Sequence, residues 1–246
     1  MTIDEIEVKR AYWDRKFEKE LKKFFTAQGD AIYKLRRITD IKQFERQALK
    51  QVEQDAPKLN RLFVGMYTGI VTAFGTTVYN ELVGKKIFSL FALGIYSWIA
   101  SMAKSQTGRL NFYTLLTIKN VVKKGIEEGK SVSDIAKTIR TVYLERFSAK
   151  RSKRIARTEV NSASNYGSWA GATQTGLTLK KIWISTKDSR TRKTHKRAGQ
   201  KYQAQPIGLD EYFQVGKGKL KYPGDHSGPP EEVINCRCAV GYRRVK

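Results

Sequence analysis

The sequence predicts an α+β protein, a largely helical N-terminal part followed by a small strand-and-loop C-terminal domain. Three observations carry this reading. Apolar residues recur at helical intervals from Ile6 to about Gln174. Beyond Gly176 that rhythm stops, and short β-rich runs alternate with Gly/Pro loops. Every histidine and cysteine, His195, His226, Cys236 and Cys238, falls between Lys187 and Cys238 of the 246 residues. The boundary is expected near residue 130, with 1–130 a helical docking region and 131–246 the domain that carries the cluster.

The elements follow in order. Thr2-Ile-Asp-Glu5 has the spacing of a capping box, and Ile6, Tyr12, Trp13, Phe17, Leu21, Phe24 and Phe25 recur behind it, predicting an amphipathic helix that ends near Gly29. A second helix is predicted from Asp30, with Ile32, Leu35, Ile38, Ile41, Phe44 and Leu49 as its stripe, stopped before Pro57. From Leu59 to Lys104 charges thin out among Gly, Thr and aromatic residues, which reads as one or two buried helices. Glycines 65, 69, 75 and 84 lie within that stretch and suit close packing, here or against another chain. Leu110–Glu128 predicts a helix capped by Gly129, and Ser131 with Asp134 opens the next. The last helix is expected over Phe147–Gln174, and strands over Leu179–Thr186, Gly218–Tyr222 and Cys236–Val245.

The formal charge of +24 far exceeds what solubility requires and points to a polyanionic partner, double-stranded DNA before a membrane surface. Residues 146–246 hold 22 basic against 7 acidic side chains, so the polyanion is expected at that end. Lys150, Arg151, Lys153, Arg154 and Arg157 recur on adjacent turns and can form a phosphate-facing band, or a solvated face paired to Glu159. Arg190, Arg192, Lys193, Lys196 and Arg197 extend the basic set. Two cysteines one residue apart make no disulfide framework, and the acidic opening Met1-Thr-Ile-Asp-Glu5 shows no secretory signal, so synthesis in a cytoplasm is expected. Ile87–Met102 is an uncharged run of 16 residues, short of the roughly 20 that a spanning helix needs. A core helix, or one packed on another subunit, is the preferred reading, and membrane contact is not expected.

Two Cys and two His make a zinc-ligand set. Strand alternation would turn Cys236 and Cys238 to one face, with His195 arriving from a long loop and His226 or Asp225 from the Tyr222-Pro-Gly-Asp225-His226 turn. Such a site would be a structural zinc ion (Zn2+) stapling three loops. The plainer alternative makes the cysteines small buried apolar residues and the histidines loop residues, with His195, Asp188 and Asp225 in a polar network. His195, His226, Asp188, Asp225 and Asn235 are also the ingredients of a metal-dependent nuclease. No nuclease spacing, Walker loop, nucleophile elbow or His-Glu-x-x-His is present, so no catalytic residue is assigned.

Arg154-Ile-Ala-Arg157-Thr158-Glu159, Asn165-Tyr-Gly167, Lys181-Ile-Trp183, Asp188-Ser-Arg190-Thr-Arg192-Lys-Thr-His195, Gly199-Gln200, Tyr222-Pro-Gly-Asp225 and Asn235-Cys-Arg-Cys238 follow one another in order and spacing. Over about Ser131–Cys238 this series resembles the Mu-F-like phage head morphogenesis domain. The resemblance implies a minor head protein of a tailed bacteriophage, in few copies, associated with the portal inside the capsid and leaving with the DNA. Implied partners are the phage portal protein and capsid or scaffolding proteins, and no enzyme activity is implied. The family's turn resembles Tyr-Pro-Gly-Asp-Pro, whereas His226 stands at the proline position here. That departure favours Asp225 over His226 as fourth ligand, giving a metal set of His195, Asp225, Cys236 and Cys238.

Overall fold

The computed structural model describes residues 2–84, 88–90, 94–186 and 188–245. Its architecture is α+β, with long helices first and two small sheets last. Helix α1 (Ile3–Lys34) opens on the expected capping box: the Thr2 amide donates to Glu5 Oε2 at 2.7 Å and the Glu5 amide to Thr2 Oγ1 at 3.2 Å. It runs through Gly29 instead of ending there. A side chain at Gly29 would sit 2.7 Å from Tyr143 Cβ, so this glycine serves a close approach and not a cap.

Helix α2 (Ile41–Val83) likewise runs through Pro57. The buried stripe Phe44, Val52, Leu59, Phe63, Tyr67, Ile70 and Phe74 is continuous across the proline, and tertiary burial overrides the local stop signal. Pro57 is exposed, where the carbonyl one turn earlier can take water in place of the missing amide. By length and composition α2 is long and apolar enough to cross a membrane, a test that the core helix of a soluble protein also passes. The apolar run of Ile87–Met102 falls partly on residues 87 and 91–93, outside the described set, and its part from Ile95 onward opens α3 (Ile95–Glu127) with Ile95 and Ile99 buried. Gly129, at φ +68°, ends α3 as expected, with the Lys130 amide bonding Gly125 O at 2.8 Å. Ser131 caps α4 (Val132–Val142) by accepting from the Asp134 amide. The chain then winds as a π-helix over Tyr143–Arg151 before α5 (Ser152–Gln174).

Contacts divide the chain into two compact units. One comprises residues 16–66 and 98–153. In its core Phe17 stands edge-on to Phe63 at 5.2 Å, and the Tyr143 hydroxyl donates to Gln28, whose amide donates to Asp55. Arg151 lies over the Phe147 ring at 4.5 Å and donates to Leu110 O and Thr114 Oγ1.

The other unit comprises residues 1–15, 67–97 and 154–246. Here α2 and α5 meet at glycines: a Cβ at Gly167 would lie 2.7 Å from Val71 O, and one at Gly171 2.4 Å from Gly75 O. After α5 come β1 (Leu179–Ile184), α6 (Lys193–Ala204), β2 (Ile207–Gly208), β3 (Phe213–Val215), β4 (Gly218–Leu220), α7 (Pro230–Val233) and β5 (Ala239–Arg244). The larger sheet has the order β2-β1-β5, antiparallel throughout, with Trp183 opposite Val240 and Ile184 opposite Ala239; β3 and β4 form a hairpin. Trp183 is fully buried, edge-on to Phe213 and to His195.

Candidate metal centre

His195 was expected on a loop, but it occupies the third position of α6. The buried face of that helix is His195, Ala198, Gly199 and Tyr202, a helical repeat built almost without large aliphatic side chains. Gly199 lets α6 press on the end of β1, since a Cβ there would lie 2.5 Å from Ser185 Oγ. The two cysteines precede β5 instead of lying within it. Asn235 adopts φ +58°, a left-handed turn that asparagine tolerates, and its amide donates to Thr158 Oγ1.

These local choices converge. His195, Cys236 and Cys238 are 2%, 1% and 1% exposed, and their ligand atoms all lie within 4.8 Å of one another. His195 Nδ1 is 3.3 Å from Cys238 Sγ and 3.6 Å from Cys236 Sγ. A tetrahedral zinc ion at ordinary bond lengths would set nitrogen and sulfur about 3.6 Å apart. The ring's other nitrogen, Nε2, lies 2.9 Å from Glu232 Oε2, and Glu232 also accepts from Thr194 Oγ1. A proton on Nε2, donated to that carboxylate, leaves the Nδ1 lone pair aimed at the sulfurs, the usual support of a metal-bound histidine. The donor set and its spacing therefore fit a metal ion.

The electrostatics agree with two thiols in one confined space. Cys238 is pushed down to about 5, first by the hydrogen bond from Cys236 and then by His195, with burial opposing. The same bond, with burial, pushes Cys236 well above the ordinary thiol range. Arg10 of α1 adds fixed positive charge: its Nε donates to Ser164 Oγ, and its Nη1 to the carbonyls of Arg237 and Cys238. Burial lowers its guanidinium to about 10 while the two cysteines pull it back up. Asn165 of α5 ties the same strand from the other side, donating to Pro223 O and Cys238 O and accepting from the Val240 amide.

The remaining candidates lie elsewhere. Asp225 closes its own turn by accepting from the amides of Lys221 and Ser227. Among the described residues it is not part of the ligand cluster; the carboxylate at the histidine is Glu232. His226 Nε2 lies 3.0 Å from Glu159 Oε2, to which the Tyr67 hydroxyl also donates. Asp188 holds Arg237 at 2.6 Å and Arg190 at 3.1 Å, and its carboxyl is drawn well below the usual range, first by the bond from Arg237. It does not join His195 and Asp225 in one network. Of the basic residues, Lys150, Lys153, Arg154, Arg190, Lys193, Lys196 and Arg197 are exposed, Arg157 is half-buried, and Arg192 donates to Ile234 O. Arg10 and Glu232 went unnoticed in the sequence, for neither sits in a spacing that announces a site.

Comparison with known proteins decides the family. A profile described as "Phage Mu protein F like protein" matches residues 116–241, just over half of the chain. The chain belongs to the phage Mu protein F-like family. This Mu F-like chain is 29% identical over 128 residues to "Minor head protein GP7" of Bacillus phage SPP1, covering 51% of the chain and 39% of that protein. It is 33% identical over 126 residues to "NAD(+)--arginine ADP-ribosyltransferase EFV" of Enterococcus faecalis, covering 50% of the chain and 24% of that protein. It is 26% identical over 157 residues to "Uncharacterized protein YqbB" of Bacillus subtilis, covering 62% of the chain and 50% of that protein. The chain thus spans between a quarter and a half of the length of the curated relatives it matches. No solved structure matches it. Family membership supports a role in phage head morphogenesis.

Proposed function

We propose that this Mu F-like chain is a minor head protein that sits at the portal inside the capsid, contacts packaged duplex DNA through its phosphates, and leaves the head with it. The observation that carries this reading is the family match over residues 116–241, together with the similarity to a protein named as a minor head protein. The helical region 1–130 supplies the surface that docks on the portal or inner shell, and 131–246 is the DNA-facing domain. The charge distribution supports the second half, because the last hundred residues hold most of the basic excess and seven of the ten predicted phosphate contacts are exposed. In this reading a zinc ion held by His195, Cys236 and Cys238 fastens α6 to the approach of β5, a structural role.

Gel shift of the full chain on unrelated duplexes tests the DNA contact. Binding at low salt, indifferent to sequence and falling steeply as salt rises, is expected, and exchanging Lys193, Lys196 and Arg197 for glutamate should flatten the salt dependence. No shift at low salt, or an affinity that salt leaves unchanged, refutes it.

A metal-dependent nuclease is the second reading. Its favouring observation is that the cluster offers three ligands, the number that leaves a fourth position for water, and that Cys236 also lines a cavity. Plasmid left intact with Mg2+, Mn2+ or Zn2+ removes it. The relative named as an ADP-ribosyltransferase is matched over only 24% of its length, so we do not carry that activity over.

A further inference from the structure

Beside the cysteine loop lies a cavity of about 190 Å³, room for about six waters, walled by Arg10, Arg157, Arg190, Arg237, Asn161 and Cys236. Glu7 and Asp14 also reach it, so four guanidinium groups face two carboxylates. The decisive member is Asn161. It is 2% exposed, yet among the described residues neither its amide nitrogen nor its amide oxygen has a hydrogen-bond partner. Burying an amide with both ends unpaired is costly, and exchanging the two atoms by a flip leaves the mismatch in place. The group is therefore set for a ligand that accepts at one end and donates at the other.

The arginines around it are positioned in advance. Arg10, 6% exposed, has its plane fixed by three bonds through Nε and Nη1, none of which uses Nη2. Arg157 stands one turn before Asn161 on the same face of α5. Arg237 is held by Asp188 at 2.6 Å, which also meets the exposed Arg190 and neutralises part of the charge of both. Rigid guanidinium forks match the oxygens of a tetrahedral anion.

We propose that this cavity is a phosphate site. Arg10 and Arg157 supply charge-assisted hydrogen bonds to one phosphate group, the Asn161 amide donates to one of its oxygens, and the Asn161 carbonyl accepts from a hydroxyl of the phosphate or its ester. The arginine and amide N–H contacts arise equally from a free or terminal phosphate and from a phosphodiester of nucleic acid, whereas the hydroxyl contact to the Asn161 carbonyl is available only from a free or terminal phosphate that keeps a proton or from a sugar hydroxyl. The site does not depend on the DNA reading above, because it is measured first without any DNA.

The experiment is calorimetric titration of the full chain with inorganic phosphate, with a nucleoside 5′-monophosphate and with a short DNA duplex, on wild type, Arg157→Gln and Asn161→Asp. Circular dichroism confirms that each variant is folded, and the half-buried Arg157 keeps the test valid should the buried Asn161 variant fail to fold. Saturable uptake of one phosphate per chain is expected, weakened at least about tenfold by either substitution. Displacement of that phosphate by duplex assigns a backbone phosphodiester as occupant. Displacement by the mononucleotide and not by the duplex assigns a terminal phosphate. No saturable uptake of any of the three, or equal uptake by wild type and the folded variants, overturns the proposal.

Discussion

Replacing Glu232 by glutamine keeps the side chain's size and its ability to accept from Thr194 while removing the negative charge 2.9 Å from His195 Nε2. With its proton on Nε2, His195 donates to that carboxylate and directs the Nδ1 lone pair at the two sulfurs, 3.3 and 3.6 Å away. Losing such an outer partner costs a metal site about 10- to 100-fold in affinity, equivalent to about 1.4–2.8 kcal/mol. Competition of the full chain against a chromogenic zinc chelator reads this directly. Glu232→Gln should bind zinc about 10- to 100-fold more weakly, and at equal free zinc should lose the same increment of thermal stabilisation. Asp225→Asn, whose carboxylate accepts from Lys221 and Ser227 instead, should leave zinc affinity unchanged. Wild-type affinity in the Glu232 variant, or a wild-type chain that takes up no zinc, would refute the assignment.

Gly171→Ala places a methyl 2.4 Å from the Gly75 carbonyl oxygen, forcing α2 and α5 apart; denaturant unfolding should show a loss of about 1–3 kcal/mol. Gly65→Ala, on an exposed position with nothing within 4 Å, should instead gain about 0.5–1 kcal/mol, and equal effects of the two would contradict the close crossing. Lys181 is fully buried, donates to Leu209 O and Lys221 O, and is lowered to about 7 chiefly by burial. Between that value and the unfolded value of about 10.4 the unfolded chain binds one more proton, so stability should rise with pH across this window and level off below it. Relative to Lys181→Met, wild type should gain about 2 kcal/mol from pH 7 to pH 9; parallel profiles would sink the idea.

Much of the helical part was legible because its signals are local. The Thr2–Glu5 box, the Ser131 cap and the Gly129 terminus each need only neighbours, and each forms as the spacing predicts. Gly29 and Pro57 misled for the opposite reason: a distant ring fills the space beside Gly29, and a continuous buried stripe carries α2 past Pro57. Helix α6 was missed because His195, Ala198, Gly199 and Tyr202 make a buried face with little apolar signal, flanked by lysines and arginines. At the candidate site, residue chemistry pointed to His195, Cys236 and Cys238, whose ligand atoms the fold brings within 4.8 Å of one another. The groups that orient them, Glu232, Arg10 and Asn165, are ordinary polar residues whose roles exist only once α1, α5 and α7 are folded around the loop.

The anchoring of Arg10 has a mechanical consequence. The family profile begins at residue 116, yet the carbonyls of Arg237 and Cys238 hang from a side chain in the third turn of α1. Any partner that pulls the start of α1 away must first break those bonds, loosening the loop that carries both sulfurs. A fragment cut to the profile's limits would lack this latch, so the cysteine loop is strained or relaxed from the far end of the sequence.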